Sequence, residues 1–201
     1  MTREVVLVPG LWVPAAVMTL LAARLGRGGY LTRGFGYRGR ASLEANIERL
    51  ARFIDGRTVH FVGHSLGGVL IYDMLARHPE IASGNVVLLG APVRGCYAGR
   101  RFGSHSFGRW CLGACAARWQ EREARWQRPE PLGVIAGTLP LGFGRAFGSL
   151  PGDNDGVVCV DETAVEGMSD RALVRTGHSL LSVSARVGAL VERFLRTGRF
   201  A

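Results

Sequence analysis

The string Gly-His-Ser-Leu occurs twice in this chain, at Gly63-His64-Ser65-Leu66 and at Gly177-His178-Ser179-Leu180. Each copy sets a hydroxyl nucleophile beside an imidazole base, the two parts that acyl transfer through serine requires. The flanks separate the copies. In the first, Gly63-x-Ser65-x-Gly67 stands between an apolar run and a helical pattern, "TVHFVGHSLGGVLIYDMLAR" over 58–77. A serine spaced so between glycines sits on a sharp strand-to-helix turn with its hydroxyl exposed. The plainer alternative is a tight turn closed by a capping serine. In the second copy no glycine stands two residues after Ser179, so the elbow spacing is missing. Ser179 reads there as the N-cap or first-turn residue of the last helix, while His178 closes an apolar strand.

These residues need elements to hold them. "EVVLVP" over 4–9 reads as a fully buried strand, and Pro14 opens a helix through "AAVMTLLAARL", with Gly26 just past its end. "YLTRGFGY" (30–37) is a weaker strand. Ser42 caps a helix whose apolar face is Leu43, Ile47, Leu50 and Ile54. Strands follow at 58–63, 85–90, 132–137 and 172–177, a helix at 65–77 and an amphipathic helix at 180–196 with Gly198 beyond it. The segment 92–131 breaks the rhythm and is expected to hold a helix from Trp110 to about Trp126. About six strands alternating with helices predict an α/β fold: a mostly parallel sheet covered on both faces, in one domain spanning 1–201. Function in such sheets collects at the carboxyl ends of the strands, which is where both copies lie.

Composition narrows the chemistry. The net charge is +9, and all 25 basic residues are arginine. Without lysine there is no Schiff base, no Ser-Lys dyad and no phosphate-loop lysine. The charge favours anionic partners, yet no basic run with interleaved aromatics resembles a nucleic-acid module. No apolar stretch is long enough to span a membrane, and "MTREVVLVPG" is a poor signal peptide and a good buried strand, so the expectation is a cytoplasmic protein. Four cysteines make no disulfide pattern for this length. Cys111 and Cys115 can share a helix face near His105, but a tetrahedral metal site needs more ligands, so no metal or other cofactor is expected.

"VGHSLGG" after a strand, with "VLVPGLW" as opening strand and turn, resembles the α/β-hydrolase family and is most similar to its small bacterial lipases and esterases. The likeness covers nearly the whole chain and is weakest over 92–131. It implies a triad in the order serine, acid, histidine, and an oxyanion hole of two backbone N–H groups. Carried onto this sequence, the nucleophile is Ser65 and the donors are Leu66 and, after the first strand, Leu11, with Trp12 second. Many relatives have His-Gly where this chain has Pro9-Gly10, so a hydrogen bond from that histidine is lost. Of five histidines, His178 takes the position of the family's base. His60 reads as packing, His64 as support for the elbow, His78 as a helix end, and His105 lies in the irregular segment. The acid belongs after "LGVIAG", where "PGDNDGVVCVDE" offers Asp153, Asp155 and Asp161. Asp155, in the recurring Asp-Gly plus two apolar residues, stands first and Asp153 second, the alternative for either being a turn carboxylate. Trp12 and His64 are the candidate substrate-binding side chains. The calcium site of larger bacterial lipases is not carried over, since Ser179 and Leu180 follow the histidine.

Eight arginines and three tryptophans (Trp110, Trp119, Trp126) crowd residues 94–128. The resemblance makes 92–131 a lid or pocket wall. Its alternatives are contact with an anionic membrane, or a cap held by buried tryptophan with a solvated arginine face. The expected activity is hydrolysis of a small acyl ester. A thioesterase or acyltransferase acting on an acyl thioester is the second reading, and a non-catalytic binding protein on the same scaffold the third.

Overall fold

The computed structural model describes residues 2–142 and 149–201. Its strands are β1 (Glu4–Val8), β2 (Leu31–Gly34), β3 (Val59–His64), β4 (Ser83–Leu89), β5 (Leu132–Gly137) and β6 (Asp170–Val174). Its helices are α1 (Thr19–Arg27), α2 (Leu43–Ile54), α3 (Leu66–Arg77), α4 (Tyr97–Gly103), α5 (Ser106–Leu112) and α6 (Ala185–Thr197). The sheet is parallel throughout, in the order β2-β1-β3-β4-β5-β6. The order reverses between β1 and β3, and a crevice opens at the strand ends at such a reversal.

Alternation along each strand builds two cores. Val6, Val8, Phe61, Val86, Leu88 and Val134 face a cluster with α2 and α3. Val5, Leu7, Val62, Val87, Leu89 and Ile135 face the opposite cluster with α1 and α6. A strand buried on both faces cannot alternate apolar with polar, which is why 5–8 in β1 and 86–89 in β4 read as continuous apolar runs, while β3 holds two buried histidines, His60 and His64. Ser42 caps α2 as its type predicts, its hydroxyl oxygen accepting from Ala45 N at 3.1 Å.

The structure corrects several element boundaries. α1 starts after a short 3-10 turn (Ala15–Met18) and runs through Gly26 to Arg27. β2 stops at Gly34, and β6 spans 170–174 instead of 172–177, because its partner β5 runs in register only from Gly133 to Gly137. The single helix expected from Trp110 to Trp126 does not form. α5 ends at Leu112, Gly113 takes a positive φ of 57°, and a 3-10 stretch carries the chain to Trp119. The last helix starts late: Ser184, not Ser179, is its N-cap, accepting from Val187 N at 3.3 Å.

The segment 92–131 is tied to the sheet-facing helix α3. Asp73 of α3 is 4% exposed and accepts from Arg118 Nε at 2.9 Å and from Arg122 Nη2. Both guanidinium groups also donate to the Val93 carbonyl, at 3.1 and 2.8 Å. Trp119 and Trp126 are buried and Trp110 is exposed. Among the described residues, no helix is long and apolar enough to cross a membrane.

Removing the shared carboxylate strands a buried guanidinium. Asp73→Ala is expected to lower unfolding free energy by about 3 kcal/mol, the usual cost of breaking a buried pair from one side. Urea unfolding monitored by circular dichroism measures it.

Candidate active site

Ser65 follows β3 without a linker. Its backbone sits at φ 53° and ψ −126°, a conformation that L-residues avoid and that signals an imposed geometry. Ser65 N donates to Leu89 O at 2.9 Å, and its own carbonyl accepts from Gly68 N and Val69 N to start α3. The elbow glycines are explained by close approach. A Cβ on Gly67 would lie 2.3 Å from the carbonyl oxygens of Val8 and Pro9, and one on Gly63 would lie 2.5 Å from Gly68 Cα. α3 thus packs onto β1 and β3 at distances that no side chain permits. The Ser65 side chain makes no capping bond. Its Oγ lies 2.9 Å from His178 Nε2 instead.

His178 follows β6 and is held at four atoms. Its Nδ1–H donates to Asp155 Oδ2 at 2.7 Å, which leaves Nε2 to accept from Ser65. Its backbone N–H donates to the Asp155 carbonyl at 2.9 Å. Its carbonyl accepts from His64 Nε2 at 2.9 Å. Asp155 is 1% exposed, and its second oxygen, Oδ1, accepts from Val157 N at 3.0 Å and Val158 N at 2.7 Å. That is the physical content of the Asp-Gly-Val-Val string: the turn folds back so that two amides hold the carboxylate. Asp153 is exposed and offers its carbonyl to Val160 N. Asp161 is likewise exposed.

His64 lines the cavity, but its donor is committed to the His178 carbonyl. The rings of the two histidines lie 4.8 Å apart. Burial, and then the neighbouring His178, hold the His64 pKa down from its ordinary 6.5 to about 3. Trp12 takes a positive φ of 58° in the turn after β1, stands 58% exposed at the cavity mouth, and meets Phe102 edge-on at 6.3 Å. Where the resemblance loses a histidine at Pro9, the Tyr37 hydroxyl donates to the Pro9 carbonyl at 3.1 Å. Among the described residues, the N–H groups of Leu11 and Leu66 donate to no protein acceptor.

A cavity of about 540 Å³ opens on Ser65 and His178. Gly10, Leu11 and Trp12 line one side, and Pro92, Phe102, Leu112 and Trp119 of the segment 92–131 line another. His105 is exposed, and Cys115 is buried against the carbonyls of Gly39 and Ala41. Among the described residues, no three His, Cys, Asp or Glu side chains form a metal-holding group. His78 pairs with Glu48 and Glu80 at the surface, and His60 accepts from Asn85 N at 2.8 Å.

Two contributors escape a reading of the sequence. Gly90, at positive φ (52°) after β4, lies under the pair: a Cβ there would reach 3.1 Å from Asp155 Oδ2 and 3.3 Å from His178 Nδ1. Tyr37 lies in a loop far from any motif. Gly90 carries a faint signal as the glycine closing "NVVLLG"; Tyr37 carries none.

The chain matches the family model described as "Alpha/beta hydrolase family" over residues 5–196. No curated protein matches it at the sequence level. Solved structures resemble it in fold. The mature lipase BlEst2 of Bacillus licheniformis superposes with a TM-score of 0.73 at 16% identity, covering 98% of this chain and 92% of that one. The pyrethroid hydrolase PytH gives 0.70 at 12% identity, covering 98% of each chain. A thermophilic esterase from Thermogutta terrifontis gives 0.67 at 15% identity, covering 98% and 91%.

The depressed His64 pKa sets a pH dependence of stability. Below about pH 6.5 the unfolded chain protonates this residue, and the folded chain does so only near pH 3. The unfolded state binds more protons in that window, so stability falls as pH falls. His64→Gln, which retains a donor at the same reach, is expected to remove about 2 kcal/mol of the stability difference between pH 6.5 and pH 5. Urea unfolding of both proteins at the two pH values checks this.

Proposed function

We propose that this chain, which belongs to the alpha/beta hydrolase family, cleaves carboxylic esters through an acyl-enzyme on Ser65. The carrying observation is the unbroken relay from Ser65 Oγ to His178 Nε2 (2.9 Å) and from His178 Nδ1 to Asp155 Oδ2 (2.7 Å). His178 takes the hydroxyl proton as Ser65 Oγ attacks the acyl carbon. The carbonyl electrons move onto oxygen, where the N–H groups of Leu66 and Leu11 receive the charge. Collapse expels the alcohol, which takes the proton from His178. Water, deprotonated by the same imidazole, then attacks the acyl carbon; collapse breaks the bond to Ser65 Oγ, which takes the proton back from His178 as the acid leaves. Asp155 keeps His178 in the tautomer that leaves Nε2 bare and stabilises the imidazolium that forms.

The cavity supports an ester with a sizeable apolar portion, because its lining is predominantly hydrocarbon and an apolar group gains by leaving water there. The printed names of the fold neighbours, a lipase, an esterase and a pyrethroid hydrolase, agree with that class. We read the segment 92–131 as a fixed cap forming one wall of the cavity. Its anchorage on Asp73 and its buried Trp119 favour a rigid wall over a swinging lid.

Ser65→Ala is expected to lower kcat on p-nitrophenyl acyl esters by several orders of magnitude, and Asp155→Asn by about 10⁴-fold. A fluorophosphonate probe should label wild type and not Ser65→Ala. Full esterase activity in Ser65→Ala would sink this reading. Faster turnover of acyl thioesters than of matched oxygen esters would move the substrate class to thioesters.

A further inference from the structure

The helix α5 is apolar on two opposite sides. Its inward Leu112 is buried and lines the cavity. Phe107 and Trp110, three residues apart and so on one face, stand 67% and 61% exposed, their rings stacked at 6.1 Å. A helix apolar on opposite sides is ordinarily buried on both. Phe102 joins the outer pair to the cavity. Its ring meets Phe107 edge-on at 6.4 Å and the exposed Trp12 at 6.3 Å. Four aromatic rings thus run from the outer face of α5 to the mouth of the cavity that opens on Ser65. The charge around this strip has one sign. Residues 9–18, 35–42 and 97–114 contain five arginines and no aspartate or glutamate. Arg100 pairs with Glu121. Arg38, Arg40 and Arg109 are exposed, and among the described residues none of the three forms an ion pair. The Arg40 guanidinium lies 4.6 Å from the centroid of the Trp110 ring, so cation and indole meet the solvent at one place.

Exposed rings flanked by unneutralised cations match a surface that is apolar below and anionic above. We propose that Trp12, Phe107 and Trp110, with Arg38, Arg40 and Arg109, dock this protein on an anionic phospholipid bilayer. Phe107 and Trp110 enter the headgroup boundary, and the arginines meet the lipid phosphates. The rings gain there by leaving water, and each guanidinium gains from the negative surface potential. The cavity mouth then lies at the bilayer surface, so an acyl ester passes from lipid along the ring strip to Ser65. That last consequence rests on the ester-hydrolase reading; the docking does not.

Co-sedimentation with vesicles tests it. One set is phosphatidylcholine alone, and the other is equal parts phosphatidylcholine and phosphatidylglycerol. Wild type and Ser65→Ala are both expected to bind the anionic vesicles and not the neutral ones, and high salt should release them. Arg40→Gln should weaken binding about fivefold, the worth of one basic residue at an anionic surface. Phe107→Ser/Trp110→Ser should abolish binding with an unchanged circular dichroism spectrum, since both side chains face outward. The proposal is overturned if wild type ignores anionic vesicles or binds neutral ones equally. Binding that survives Phe107→Ser/Trp110→Ser overturns it too. So does a wild-type dimer in sedimentation equilibrium that these two substitutions convert to monomer, because the strip then belongs to a second copy of the chain. If Ser65→Ala keeps full esterase activity while anionic vesicles still bind, the nucleophile is misassigned and the docking surface stands.

Discussion

The backbone of Ser65 is held at a positive φ, and the other site geometry follows from that constraint. Such a conformation costs a residue with a side chain about 1–3 kcal/mol, so it persists only where the surroundings over-determine it. Here they do so by proximity. Gly67 lies against the last carbonyls of β1, and Gly63 lies against Gly68. The strand cannot run straight on, and the helix cannot move away without losing its packing on β1 and β3. The hydroxyl is left outside the turn, where it caps nothing and meets an imidazole.

That imidazole is fixed by a second set of contacts with a different logic. Main-chain and side-chain bonds both join His178 to Asp155, and His64 donates to the carbonyl of His178. His64 stands next to Ser65 in sequence, so one residue of the turn also braces the loop carrying His178. Neutrality suits it to this place. In the proposed mechanism, a cation 4.8 Å from the ring that takes up a proton would oppose that transfer, and burial keeps His64 uncharged. The two Gly-His-Ser-Leu strings are therefore bound to each other twice, once through Ser65 and His178 and once through His64 and the His178 carbonyl.

The segment 92–131 contributes shape. Arg118 and Arg122 converge on a carboxylate buried in α3, the helix that Ser65 begins, so Ser65 and the cavity wall share one support. Trp110 faces outward on α5, stacked on Phe107 with the Arg40 guanidinium 4.6 Å from its ring centroid, while Trp119 turns inward. The same residue type thus has opposite surroundings within ten positions, and composition cannot separate the two.

Local sequence determined the elements that local physics controls. Double burial makes most of a strand apolar, so β1, β4 and β5 are legible as apolar runs and β3 by its place before the Gly-x-Ser-x-Gly turn, and with them the parallel sheet. Glycine spacing marks the elbow because nothing larger fits where α3 crosses β1. A hydroxyl before an amphipathic pattern marks Ser42 as a cap. Asp155 stands out from Asp153 only through the resemblance of Asp-Gly-Val-Val to the family's acid loop. Other features depended on distant neighbours. β6 ends where β5 ends, not where its own apolar letters stop. The expected Trp110–Trp126 helix yields to Gly113 and to burial of Cys115 and Trp119. The tie of Tyr37 to Pro9, the place of Gly90 under the Asp155–His178 pair and the clamp on Asp73 each join residues far apart in the chain. Such contacts leave no periodicity or spacing to read, because what selects the residue is the shape of a partner that only the folded sheet brings near.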